Sequence, residues 1–145
     1  MKKNDFKYFL DTIDEKLSFL SEILNLEKID FEFSTIDKVE NLYREVIKDK
    51  SKLKISFEKF ELIIYAYIGE AIISYVSGNW VLCSAKKDDA FETPIIVNWA
   101  NNPKNISISP FVWCELIKLG KMNIKISELI QKLIRNYNEQ LNVKK

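Results

Sequence analysis

The sequence predicts a helix-rich α+β fold: one domain over residues 1–145, with a small antiparallel sheet of about three strands packed on a central apolar helix. Three observations predict it. Long segments carry apolar residues at alternating spacings of three and four, the period of one helix face. One segment, 57–77, is apolar on almost every side, as a helix at the centre of a fold must be. Between 79 and 108, short β-rich runs alternate with turn residues. Helices are therefore expected over 5–50, 57–77 and 110–142, around a sheet at 79–108.

The first helix rests on Phe6, Leu10, Ile13, Leu17, Leu20 and Leu24, a continuous stripe widened by Phe9, Phe19 and Ile23. Asn4 is the expected N-cap, with Asp5 near the positive end of the helix dipole. After a connector at 26–33, Ser34-Thr35-Ile36-Asp37 reads as a second start. Ile36, Val39, Tyr43, Val46 and Ile47 give its buried face, and it should end near Lys50. Ser56 caps the third helix, and Ile55 and Phe60 are placed to staple its entry. Glu61 and Glu70 interrupt the apolar run, and charged flanks crowd it, which argues against a membrane span. Ser77-Gly78 supplies a left-handed stop.

Trp80-Val81-Leu82-Cys83 then reads as a strand, and Pro94-Ile95-Ile96-Val97-Asn98-Trp99 as the next, with Pro94 at its first position. Residues 101–105, Asn-Asn-Pro-Lys-Asn, form a turn, and Ile106-Ser107-Ile108 alternates as a third strand. Ser109-Pro110 reads as N-cap and N1 of another helix, with Gly120 as its stop. A final helix from about Ser127 to Leu141 should bury Ile130, Leu133, Ile134, Tyr137 and Leu141.

The 145 residues are 47% hydrophobic and 30% charged, with three Gly and three Pro. That is globular composition with little material for linkers, hence the single domain. Net charge is +1, and the basic excess lies from Lys118 onward. Only Arg44 and Arg135 are arginine, the residue suited to bidentate phosphate and guanine contacts, so a solvated helix face is expected rather than a nucleic-acid surface. Met1-Lys2-Lys3-Asn4-Asp5 leads into a segment with charges every few residues and no apolar signal-peptide stretch. A cytoplasmic protein without membrane association is expected. Cys83 and Cys114 sit among apolar neighbours, as buried free thiols do.

The sequence holds no histidine. Ser-His and Cys-His nucleophiles, His-ligated metals and the usual neutral-pH base are thereby excluded. Three glycines build neither a dinucleotide-binding nor a phosphate-binding loop. No metal, no cofactor and no catalytic residue is expected. A carboxylate-dependent enzyme would need two acids to meet in one cleft, and nothing in the spacing selects a pair.

Five residues are candidate binding positions: Glu70, Asp88, Asp89, Glu92 and Trp99. Glu70 stands next to Gly69 within an apolar helix, where a charge needs a partner. Either it meets a ligand, or it accepts a bond from backbone amides or a tryptophan indole and fixes the helix against the sheet. Asp88, Asp89 and Glu92 belong to a charged hairpin tip at 86–92, either a solvated loop or a recognition loop. Trp80 is expected in the core, and Trp99, bordering a polar turn, is expected to be partly exposed. Asn105-Ile106-Ser107 matches a glycosylation sequon, which carries no meaning without secretion.

Tyr67-Ile68-Gly69-Glu70, followed by Ser77-Gly78-Asn79-Trp80, a strand with Pro94 and then Ser109-Pro110-Phe111, resembles a group of small bacterial proteins. In these a Gly-Glu pair on a long helix is followed by Gly-Gly-x-Trp, a strand hairpin and a Pro-Phe opening the next helix. Some look like immunity proteins of toxin systems. The resemblance covers roughly 60–115, and Ser77 stands where the pattern has its first glycine. It implies a non-enzymatic, cytoplasmic, partner-binding role and supplies no catalytic residue. The expected function is thus a protein-binding module, monomer or homodimer, whose partner is another protein such as a cognate toxin. The alternative is a small-ligand sensor or carrier with a pocket at the central helix/sheet junction and Glu70 as its polar anchor.

Overall fold

The computed structural model describes residues 1–103 and 106–143, with side chains through residue 141. Lys104 and Asn105, which close the expected 101–105 turn and include the sequon asparagine, lie outside the described residues. The fold is α+β: α1 (Lys3–Asp11), α2 (Ile13–Ile23), α3 (Phe33–Lys48), α4 (Phe57–Val76), β1 (Asn79–Leu82), β2 (Pro94–Val97), α5 (Pro110–Lys118) and α6 (Ile126–Val143).

α4 is the core of the molecule. Phe60, Ile63, Ile64, Ala66, Tyr67, Ile68, Ala71, Ile72 and Val76 are all buried, under α2, α3, α5, α6 and β2. Each large side chain so buried contributes roughly 1.5–3 kcal/mol. Ser56 Oγ accepts from the Lys59 amide at 3.2 Å and so caps its start. Its end is forced at Ser77, φ +63°, and Gly78, φ +135°. A Cβ on Gly78 would stand 2.7 Å from the Ile96 side chain and 3.2 Å from the Val97 carbonyl, so this turn must carry glycine. The connector before α3 is tied to α4 by two phenols: Tyr67 donates to the Asp30 carbonyl at 2.9 Å and Tyr75 to the Phe31 carbonyl at 2.5 Å.

β1 and β2 pair antiparallel, with Trp80 opposite Ile96 and Val81 opposite Ile95. Ile96 faces the main core. On the other face Cys83, Ile95 and Val97 form a second small cluster with Val81, Ala90 and Val112 of α5. Both cysteines are buried free thiols. Among the described residues no helix is long and apolar enough to cross a membrane.

Several boundaries differ from the sequence reading. The stripe 6–24 is two helices, not one, because the chain bends at Thr12. Its hydroxyl donates back to the Tyr8 carbonyl at 2.8 Å, and such back-bonding bends helices. The first cap is Lys2, whose amide donates to Asp5 at 3.1 Å, rather than Asn4. α3 starts at Phe33, one residue before Ser34. The third strand shrinks to one bridge, Ile96 with Ile108, two bonds of 2.9 Å. It cannot lengthen. Ser109 Oγ is committed to the Val112 amide at 3.0 Å, and Pro110, first residue of α5, has no N–H to give a ladder. In α6 Ile130 is buried and Leu133, Ile134 and Tyr137 are partly buried, whereas Leu141 is exposed, lying beyond the part of the helix that meets the core.

Candidate functional site

Glu70 takes the scaffold role. Its Oε2 accepts the indole N–H of Trp80 at 3.0 Å. The indole lies in the notch left by Gly69, where a Cβ would stand 2.1 Å from the ring. Phe9 meets the same ring edge-on at 5.2 Å. Gly69, Glu70 and Trp80 thus clamp β1 onto α4 and α1, with Trp80 half-buried rather than fully in the core. This clamp sits at the helix/sheet junction.

The 86–92 tip is an ordered turn. Asp88 Oδ1 accepts from the Ala90 amide at 2.8 Å, and the Glu92 amide, with φ +63°, donates to the Cys83 carbonyl at 2.9 Å. The Asp88, Asp89 and Glu92 side chains are exposed. The Glu92 carboxylate lies 3.9 Å from the Met1 amine.

Trp99 is buried, 9% exposed, contrary to the expectation of partial exposure. Left-handed backbone at Asn98, Ala100 and Asn101 curls the segment inward. Its indole then donates to the Ile106 carbonyl at 3.2 Å. The five candidates therefore do not converge. Trp99 is buried, Glu70 is half-buried against the Trp80 indole, and the tip carboxylates are exposed.

Two polar clusters escaped the sequence reading. In the first, Glu61 accepts from the Tyr43 hydroxyl at 2.7 Å and pairs with Lys118 at 3.0 Å, which also reaches Glu115 at 2.5 Å. Burial pulls the Lys118 ammonium down, but its bonds to the two carboxylates outweigh that and leave it raised. Burial, with the neighbouring acid Glu61, pushes the Tyr43 phenol and the Cys114 thiol well up. Both stay protonated near neutrality, so the cluster holds α3, α4 and α5 together without presenting a nucleophile. In the second, the buried Glu40 accepts from the Ile126 amide at 2.7 Å and from Arg44 Nε at 2.9 Å. It caps α6 from α3, beside Ser127, which donates to Asp37 at 2.6 Å. Among the described residues no three of His, Cys, Asp and Glu gather where they could hold a metal ion.

A groove of about 530 Å3 lies between α1, α2 and α4. Phe9, Phe19, Ile55, Leu62 and Ile63 make its apolar surface, and Met1, Asp5, Tyr8, Glu15 and Lys59 stand around it. Thr12, where α1 gives way to α2, is part of its lining. Lys16 reaches into it. Its Nζ donates to Thr12 Oγ1 and to the Phe9 carbonyl at 3.4 Å, and lies 5.0 Å from the Phe9 ring centre and 5.8 Å from that of Tyr8. Burial holds this ammonium below the ordinary lysine range, and Glu15 opposes that only in part. No carboxylate pairs with it among the described residues. In sequence Lys16 is one of many surface-type lysines, and only the fold reveals it. A second groove, about 690 Å3, lies between α2 and the end of α3. Its lysines Lys48, Lys52 and Lys54 are all exposed.

Comparison with protein-family models, curated proteins and solved structures returns no match to this chain.

Proposed function

We propose that the chain is a non-enzymatic small-ligand binding protein, a sensor or carrier, whose site is the groove between α1, α2 and α4 rather than the helix/sheet junction. The observation that carries this reading is an apolar groove of about 530 Å3 entered by a lysine without a carboxylate partner. Ligand sites have this make-up, mostly apolar walls with a few converging polar groups, in roughly 300–1,000 Å3. A thermal-shift screen of small apolar and amphiphilic compounds tests it, because a ligand that binds only the folded state raises the melting temperature. At least one compound should shift the wild type, and Leu62→Trp, which fills the groove, should abolish the shift. A screen without any shift sinks the reading.

A second reading, a protein-binding module of the immunity type, is supported by the rim. Tyr8 is 68% exposed at the groove mouth, and the contact between Met1 and Glu92 sets the Asp88–Glu92 tip alongside. Exposed aromatics beside charged groups are common at interface hot spots. Co-expression with a toxin encoded by the adjacent gene tests this version, and full toxicity despite stable co-expression rejects it.

A further inference from the structure

We propose that the groove's ligand is an amphiphilic carboxylate, its head received by the Lys16 ammonium and its aliphatic tail laid along Phe19, Leu62 and Ile63. This rests on the reading of the groove as a ligand site and names the chemistry it selects. A lysine ammonium has three donors. Thr12 Oγ1 and the Phe9 carbonyl take two of them, and both are neutral acceptors. The third donor is left without a partner among the described residues, and no carboxylate comes within ion-pair distance of the charge, Glu15 acting on it only from further off, in a groove that is otherwise largely apolar. A half-desolvated cation of this kind is costly, and a carboxylate that arrives with the ligand offsets the cost.

The other charges around the groove are engaged or lie at its rim. The Met1 amine faces Glu92, and Asp5 accepts from the Lys2 amide. Glu15 and Lys59 are exposed, on α2 and α4. A cationic head would meet Lys16 as a like charge. A neutral head would leave the ammonium as it is. An apolar tail on the aliphatic and aromatic walls gains about three- to fourfold in affinity per methylene buried.

Isothermal titration of the full chain with decanoate, decanol and decylamine, each kept below its micellar concentration, tests the assignment. The wild type should bind one decanoate, at least tenfold more tightly than decanol, and decylamine most weakly. Lys16→Met keeps the apolar stem and should bring decanoate down to the level of decanol. Lys16→Arg should keep the preference, and it carries the test if the methionine variant does not fold. Equal binding of decanoate and decanol by the wild type, or a preference that survives in Lys16→Met, overturns the assignment of the head group while leaving the groove as a ligand site. No binding of any of the three overturns both.

Discussion

Trp80 and Gly69 fit as a ring into a notch: the indole occupies the space a Cβ would take, 2.1 Å from where that atom would stand. The contact turns a glycine in the middle of a helix, normally unfavourable by about 1 kcal/mol relative to alanine, into a requirement. It also reverses the usual effect of replacing it.

Gly69→Ala should destabilise the protein by about 1–3 kcal/mol, the cost of overpacking, despite alanine's better helix propensity. Urea unfolding followed by far-UV circular dichroism measures it. A variant as stable as the wild type would show that the indole does not sit in the notch.

Glu70→Leu leaves the Trp80 N–H without its acceptor at 3.0 Å and should cost about 1–3 kcal/mol. Glu70→Gln retains a carbonyl acceptor and should cost under about 1 kcal/mol. The ordering of the two midpoints is the readout. The reverse ordering would mean that the bond contributes nothing.

Glu40→Ala removes the cap that joins α3 to α6. The Ile126 amide loses its 2.7 Å acceptor, and Arg44 loses its partner. Because Arg44 still reaches solvent, the loss should be about 1.5–3 kcal/mol, that of a bond to a charged group rather than of a wholly buried pair. Hydrogen exchange should speed up first in the opening turn of α6. Uniform acceleration through every helix would contradict a capping role.

Lys16 should make the protein more stable, not less, as the pH rises toward the lysine range. Its folded pKa is lowered, chiefly by burial, so the folded state releases this proton before the unfolded chain does. The penalty for holding the charge is complete below the folded pKa and is gone above the unfolded value of about 10.4. Stability of the wild type relative to Lys16→Met should therefore climb across that window and level off above it. Paired urea titrations from pH 7 to 11 isolate this group from the other lysines. A constant difference between the two proteins would place Lys16 in water.

Much of the scaffold was legible because its signals are local. Ser56, Ser109 and the Ser77-Gly78 stop act on backbone groups within a few residues of themselves, so they read directly from the sequence. The apolar surround of 62–76 left a central helix or a membrane span, and Glu61 and Glu70 with the charged flanks decided for the first. Even the Glu70 clamp was readable as one of two alternatives, since a charge on an apolar helix must find a donor and an indole follows ten residues later.

The sequence by itself determined which segments are helices, which of them lies at the centre, and that β1 follows it after one left-handed turn. Tertiary structure decided the rest, because the rest depends on which distant groups meet. The stripe 6–24 keeps its period through Thr12, so periodicity is blind to a bend made by a side-chain hydroxyl. Trp99 looked exposed because its neighbours are polar, yet three left-handed residues turn it inward. Glu40 caps a helix that begins 86 residues further along the chain. Lys16 became distinctive only where α1, α2 and α4 enclose a groove around it and no carboxylate pairs with it.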